Sequence, residues 1–375
     1  MAKQRIFSID ALRGFSLLGI LLMNILTFAY PYQIINPFEF FQHQDGAWFK
    51  ISSLFIIASF YPIFAFLFGY GLSIMYQNSL DKGLNYYPMI TRRLLFLLLL
   101  GIIHGVFIFY GDILSTYALL GLIAIIFVRL KPQYTLVALS IGIGIFVLLY
   151  LLPMILLKDV TQIESFVGLQ ELERVNNILS SADYVSIIGF NLKYFGMNIA
   201  NAILVGPFSI LPIMLFGIYA HQINWFNKIK QHKNLYMVIG VVVLILGLAI
   251  KMIQIVLEGS VTSQLMSQMI GGPIVALSYI MFFVILCEDQ TVRKILTPLQ
   301  SIGKLSLTTY ISQSIICILI FYGVGLNYYG KLPVLTIYII GIVIYCVQLI
   351  LSYLYLLKFK QGTLEKLWRK VTYLK

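Results

Sequence analysis

The chain has 375 residues, 60% of them apolar and only 11% charged, with a net charge of +12 and a mean hydropathy of +0.92. Soluble domains run at about 45–50% apolar and about 25% charged, so a soluble globular protein, a disordered chain and a disulfide scaffold are excluded. What remains is a membrane protein with most of its length in the bilayer.

A helix needs about 20 mainly apolar residues to cross the hydrocarbon core. Ten stretches meet that length in chain order: 11–30, 51–76, 92–110, 112–129, 133–157, 191–220, 235–257, 265–287, 305–326 and 333–357. The fold class is therefore all-α, a single transmembrane helical domain over residues 1–375 with about ten spans. Lys3 and Arg5 precede the first apolar run, but Asp10 and Arg13 interrupt it and no small-residue cleavage site follows, so an uncleaved first span is expected. The loop 31–50 carries Glu39, His43, Asp45 and Trp48. Pro62 is expected to bend the second span, and Pro207 with Pro212 to kink the sixth. Tyr110-Gly111-Asp112 makes spans three and four a hairpin. Residues 158–190 read as a partly amphipathic helix at the outer interface, with Glu164, Glu171, Glu173 and Asp183 among Ile163, Phe166, Leu172, Val175 and Leu179. Residues 361–375 read as an interfacial tail helix.

With the N-terminus inside, 20 of the 26 basic residues flank the cytoplasmic ends of the spans. Lys50, Lys158, Arg174, Lys193 and Lys331 fall outside, and Lys251 falls within span seven. Both termini are then cytoplasmic, and the basic balance needs no nucleic acid to explain it. The expected location is a membrane whose inner side is the cytoplasm, with the lipid bilayer as partner. Cys287, Cys317 and Cys346 sit in apolar stretches as small hydrophobes, without metal-ligand spacing.

Polar groups inside a bilayer are expensive and so point to function. Asp10 and Arg13 share a helix face at the inner surface, and Asn24 lies about 16 Å deeper. One reading is an arginine holding an anionic phosphate or a CoA-like group; the other is an ion pair at the helix entry. His104 is the histidine well inside a span, below Asp112 at the hairpin. On straight helices it lies about 9 Å beneath the turn, which leaves a direct His104–Asp112 contact open and places Thr116 nearer. An imidazole here suits a general base for an acceptor hydroxyl arriving from outside. The outer-loop His43 is the second choice. Ser306, Thr309, Ser312 and Gln313 form a polar stripe beside Tyr310. Asn191, Asn198 and Asn201 mark span six, and Lys251 with Gln254 marks span seven. Thr116, Asn198, Lys251, Thr309 and Gln313 are candidates for a substrate pathway.

Several motifs follow one another in order: SIDALRGFSLLGILLMNI, YPIFAFLFGYG, RRLLFLLLLGIIHGVFIFYGDILSTYALLG, SIGKLSLTTYISQSIICILIFYGVGL and FKQGTLEKLWRKVTY. This pattern resembles the YeiB-like domain-of-unknown-function family of bacterial membrane proteins across nearly the whole chain. Members often have Gly-Pro-Leu-Glu where this chain has Gly362-Thr363-Leu364-Glu365, and Gly-Arg where it has Gly303-Lys304. The family looks distantly related to transmembrane acyltransferases. That resemblance implies acetyl-CoA or another acyl-CoA as donor, an envelope glycan or lipid as acceptor, and Arg13 as a residue on the CoA side. In one such group a catalytic histidine stands eleven residues after the arginine, where this chain has Asn24. The glucosaminide type also has Asn there and carries its histidine in the first lumenal loop, the place of His43. The expectation is an acyltransferase-like protein with His104, Asp112 and His43 as candidate catalytic residues and Arg13, Asp10 and Asn24 on the donor side. The alternatives are a transporter or flippase without covalent chemistry, and a non-catalytic envelope regulator.

Overall fold

Apolar length and helix length part company in this chain. In the computed structural model, residues 7–32, 34–41, 46–153 and 169–374 are described. In chain order the main helices are α1 (Phe7–Ala29), α2 (Gly46–Phe55), α3 (Tyr61–Leu80), α4 (Tyr86–Phe107), α5 (Leu114–Ala124), α6 (Pro132–Leu151), α7 (Leu169–Leu179), α8 (Tyr184–Leu204), α9 (Gly206–Gln222), α10 (Lys233–Val256), α11 (Val261–Leu286), α12 (Thr297–Lys304), α13 (Ser306–Phe321), α14 (Val334–Lys358) and α15 (Thr363–Tyr373). Every regular element among the described residues is helical.

Among the described residues six helices, α1, α4, α6, α10, α11 and α14, are long and apolar enough to cross a membrane. Two bent pairs, α8 with α9 at 51° and α12 with α13 at 84°, bring the number to eight if each pair is one span. The prolines account for the first bend. Pro207 and Pro212 stand at the starts of the two helical pieces 206–209 and 211–222, where their missing N–H groups cannot continue the preceding helix.

Two of the ten expected spans are corrected. The stretch 51–76 is not one bent helix. α2 stops at Phe55 and α3 starts at Tyr61, with Ala58 between them in the left-handed region at φ 59°. The stretch 112–129 holds only the eleven residues of α5 and a short 3₁₀ turn, Phe127–Arg129. Apolarity supplied the length in both places, but backbone geometry did not follow it.

Helices meet where side chains are smallest. A Cβ on Gly69 of α3 would lie 1.9 Å from the Met214 carbonyl oxygen of α9, and one on Gly217 would lie 2.0 Å from that of Phe66. This mutual exclusion lets the two backbones touch, as small residues do in membrane helix pairs. The outward faces of α6, α10 and α14 carry Leu148, Val242, Leu246, Ile350 and Leu354 exposed, as contact with lipid tails requires.

The tail helix is tied in at one end of the bundle. Glu365 accepts the Leu307 and Thr308 N–H groups at 2.9 and 3.0 Å and the Thr308 hydroxyl at 2.7 Å, so it satisfies the first turn of α13. Trp368 donates its indole N–H to the Arg93 carbonyl at 2.8 Å, and the Arg93 guanidinium lies 3.4 Å over the same indole.

At the other end, α7 falls within the stretch 158–190, of which residues 158–168, with Ile163, Glu164 and Phe166, lie outside the described residues. Its apolar side buries Val175 and Leu179, and the Leu179 carbonyl accepts the Gly323 N–H at 2.8 Å. Hydrogen bonds from Lys193 and Arg174, at 3.0 and 3.1 Å, hold the Glu171 carboxyl below the usual carboxylate range. A depressed value means that the pairing stabilises the docked helix at neutral pH and fades as pH falls through that value. Amide exchange of α7, corrected for intrinsic rate, is expected to stay slow at neutral pH and accelerate below about pH 4. An unchanged protection factor in acid rejects this.

Candidate functional site

Helix α4 ends just past its only histidine. The Ile108 and Phe109 N–H groups both bond the His104 carbonyl, at 2.9 and 2.8 Å, so the helix closes there and the chain turns back through residues 108–113. The turn therefore begins earlier than Tyr110-Gly111-Asp112 suggests, and it carries Asp112 down to the imidazole. This corrects the expectation from straight helices that Thr116 lies nearer to His104 than Asp112 does.

His104 is bonded on both ring nitrogens. Nδ1 lies 2.9 Å from Asp112 Oδ1, and Nε2 lies 2.9 Å from Ser314 Oγ on α13. The other Asp112 oxygen accepts the Ser115 N–H at 2.7 Å, which caps the start of α5. Beside a carboxylate acceptor, the tautomer with its proton on Nδ1 leaves Nε2 to accept from the Ser314 hydroxyl, which also lies 3.4 Å from the Tyr310 carbonyl. His104, Asp112 and Ser314 are 1%, 4% and 3% exposed, which places the whole chain of bonds out of water. The Tyr310 ring lies 5.0 Å from the imidazole, and its hydroxyl oxygen accepts the Ile113 N–H at 3.4 Å. Gly101 makes this packing possible: a Cβ there would meet Ser115 Oγ at 2.4 Å and Asp112 Oδ2 at 2.8 Å.

The hairpin is braced from one side by α8. Tyr184 donates to the Phe107 carbonyl, Asn191 to that of Ile108 at 3.3 Å and Asn198 to that of Tyr110 at 2.9 Å. These three residues recur every seven positions and so share one face of the helix. Asn198 is thus a support of the hairpin backbone.

The remaining candidates divide. Asn24 and Gln313 line a cavity of about 10 Å³ with Leu21, Phe28, Tyr310 and Ser314, room for at most a single water molecule. Gln313 also donates to Gln348 at 3.0 Å, and Thr309 is buried nearby on α13. Arg13 and Asp10 pair with each other at 3.2 Å at the far end of α1, not beside His104. Arg93, stacked on Trp368, stands at the same end of the bundle, with Arg13 and Arg369 near it. Thr116 is half-buried on α5. His43 lies outside the described residues.

Lys251 belongs elsewhere. It is 0% exposed and donates to the Ile57 carbonyl at 2.5 Å and the Ser59 hydroxyl at 2.8 Å, in the break between α2 and α3. Gly271 and Gly272 of α11 back this break, where a Cβ would strike Lys251 Cγ at 2.5 Å and the Ala58 carbonyl oxygen at 2.2 Å. Among the described residues no carboxylate pairs with this ammonium.

Ser314 escaped the sequence reading, which followed the stripe Thr309–Gln313. Tyr310 and Ser314 stand one turn apart, so the polar face continued for one more residue.

The Asp112–His104–Ser314 chain joins two of the sequence segments that carry the resemblance, and comparison with known proteins extends it over the whole length. The family model described as a protein of unknown function, DUF418, matches residues 220–375. The chain is 30% identical over 395 residues to "Uncharacterized protein YxaH" of Bacillus subtilis (strain 168), covering 100% of this chain and 96% of that one. It belongs to this family. It is also 27% identical over 394 residues to "Uncharacterized protein YeiB" of Escherichia coli (strain K12), covering 98% and 96% of the two chains. A third relative, from Bacillus acidopullulyticus, is 28% identical over 389 residues. The family model spans α13, which supplies Ser314, and α15, whose Glu365 caps it; His104 and Asp112 precede it.

Proposed function

We propose that this membrane protein is an acyltransferase-like enzyme in which Ser314 carries the acyl group. The observation behind this reading is His104 held between Asp112 and Ser314, the arrangement of nucleophile, base and orienting acid that acyl transfer uses on unrelated folds. In the first step Ser314 Oγ attacks the thioester carbonyl carbon and its proton passes to His104 Nε2. The carbon–sulfur bond breaks, and the departing thiolate takes that proton. In the second step an acceptor hydroxyl or amine attacks the acyl-serine and gives its proton to His104. Ser314 leaves and recovers the proton. Asp112 stays ionised throughout, holding the ring and stabilising its charged form. Asn24, in the wall of the same cavity, is the side chain we place beside the developing oxyanion.

The donor side is the cation cluster of Arg13, Arg93 and Arg369. Arg93 and His104 are eleven residues apart on α4, as Arg13 and Asn24 are on α1, about 16 Å of helix in each case. An acyl-CoA suits that separation in kind, with its phosphates at one end and its thioester at the other end of a flexible arm. Titration of the purified protein with acetyl-CoA is expected to give saturable heat, with binding about tenfold weaker in Arg93→Ala and retained in Arg13→Lys. Absence of binding at millimolar donor rejects the reading. The acceptor is a sugar or lipid of the envelope reaching the hairpin end.

One observation favours a second reading. A fully buried lysine bonded to a helix break is a feature of pathways that move ions or substrates, and transport without an acyl donor would show as flux into liposomes.

A further inference from the structure

A pocket of about 320 Å³ opens between α7 and α8 at the hairpin end of the bundle. Its size is that of a small-ligand site, while the cavity at Ser314 is far smaller. One wall is charged. Glu171 draws Arg174 and Lys193 together, one from its own helix and one from α8. The carboxylate thus gathers two cations, while Asp183 stands by the other end of the pocket, accepting the hydroxyl of the lining Ser186 at 2.6 Å. Arg174 and Lys193 are 61% and 46% exposed along their side chains and keep donors beyond those used on Glu171, and the Lys193 ammonium lies 5.2 Å from the Tyr194 ring. The opposite wall is apolar and aromatic, with Val175, Ile178, Phe190 and Tyr194.

We infer that this pocket binds a phosphate ester carried on an amphiphile or a sugar, with the phosphate on the donors of Arg174 and Lys193 that Glu171 leaves unused and the organic part against Phe190 and Tyr194. Two cations fixed side by side recognise a phosphate oxygen pair better than a neutral hydroxyl. An amphipathic helix lying beside aromatic residues is also where a bilayer presents its phosphates. The rear wall of the pocket is one aromatic layer from the hairpin: Tyr194 and Phe190 lie 5.7 and 5.2 Å from the Tyr110 ring, two residues before Asp112. The assignment is independent of covalent chemistry at His104.

The test places the full-length protein in phosphatidylcholine nanodiscs and follows its melting temperature as phosphatidylglycerol replaces part of the lipid. Parallel arms keep pure phosphatidylcholine and add sn-glycerol 3-phosphate or inorganic phosphate. A saturable rise is expected, with half-saturation shifted about fivefold for each cation removed in Arg174→Ala and Lys193→Ala. Arg174→Lys with Lys193→Arg is expected to keep the response. Lys360→Ala with Lys366→Ala removes two charges elsewhere and is expected to leave it unchanged. A response to phosphatidylglycerol alone assigns the phosphate to a lipid headgroup, and a response to the soluble esters assigns it to a free ligand. No response in any arm, or equal loss in the Lys360/Lys366 control, overturns the proposal.

Discussion

A serine-directed fluorophosphonate is expected to label the purified protein on Ser314 and to leave Ser314→Ala unmarked. The attacking hydroxyl is bonded to His104 Nε2, and Asp112 holds the ring from the other side. Removing the base in His104→Ala is expected to slow labelling by about 10²–10⁴-fold, the usual contribution of a positioned general base. Asp112→Asn keeps the shape of the site but leaves one acceptor for two donors, the His104 ring N–H and the Ser115 N–H, and removes the charge that stabilises the imidazolium, so it too is expected to lose most of the rate. Labelling is slow in absolute terms because Ser314 is almost fully buried and its cavity holds no more than a water molecule. Ser314→Ala leaves one imidazole nitrogen unpaired and costs about 1–3 kcal/mol of stability, small enough to keep a folded protein for comparison. Equal labelling of wild type and Ser314→Ala would show that the hydroxyl is a structural partner of His104 and nothing more.

The second large effect is expected at Lys251. Lys251→Met retains length and apolar bulk but removes the donor to the Ile57 carbonyl and the Ser59 hydroxyl. The Ile57 carbonyl then keeps only the Ser59 hydroxyl at 3.5 Å, and a poorly paired carbonyl in a protein interior costs about 1–3 kcal/mol. Lys251→Ala adds a cavity in a site closed by Gly271, with a further loss of about 2 kcal/mol or more. Thermal unfolding in one detergent is expected to rank wild type above Lys251→Met and Lys251→Ala lowest. The left-handed Ala58 gives the reason for sensitivity: a non-glycine residue there is held by its neighbours rather than by its own preference. A Lys251→Met protein as stable as wild type would show that the break does not depend on the ammonium.

These two sites also mark how far residue types can be read without coordinates. His104 and Asp112 were legible because an imidazole and a carboxylate stand out in an apolar run. Their contact was not, because it depends on α4 closing at Phe107 rather than at Tyr110, a difference of three residues in a continuous apolar stretch. Lys251 was legible for the same reason as His104. Its partners were invisible: Ile57 contributes a backbone carbonyl, and Pro62, at the start of α3, signalled a bend in the stretch 51–76 but not a full break. Ser314 was overlooked because a serine is ordinary in a helix interface until its partner, 210 residues away, is known. Arg13 shows the reverse case, since its pairing with Asp10 three residues earlier is local and follows from spacing alone.

Composition alone determined that this +12, 375-residue chain is helical and lives in a membrane, because so few charges cannot solvate so much apolar surface. Order of motifs along the chain determined its family. Tertiary structure decided which spans are whole, which are bent and which are broken, because backbone hydrogen bonds lost at a proline or a left-handed residue are replaced only by groups from other helices. It also decided which of the scattered polar residues are in contact. Asp112, His104 and Ser314 come from a turn and two helices, and no local pattern encodes a contact whose geometry is set by three packed elements.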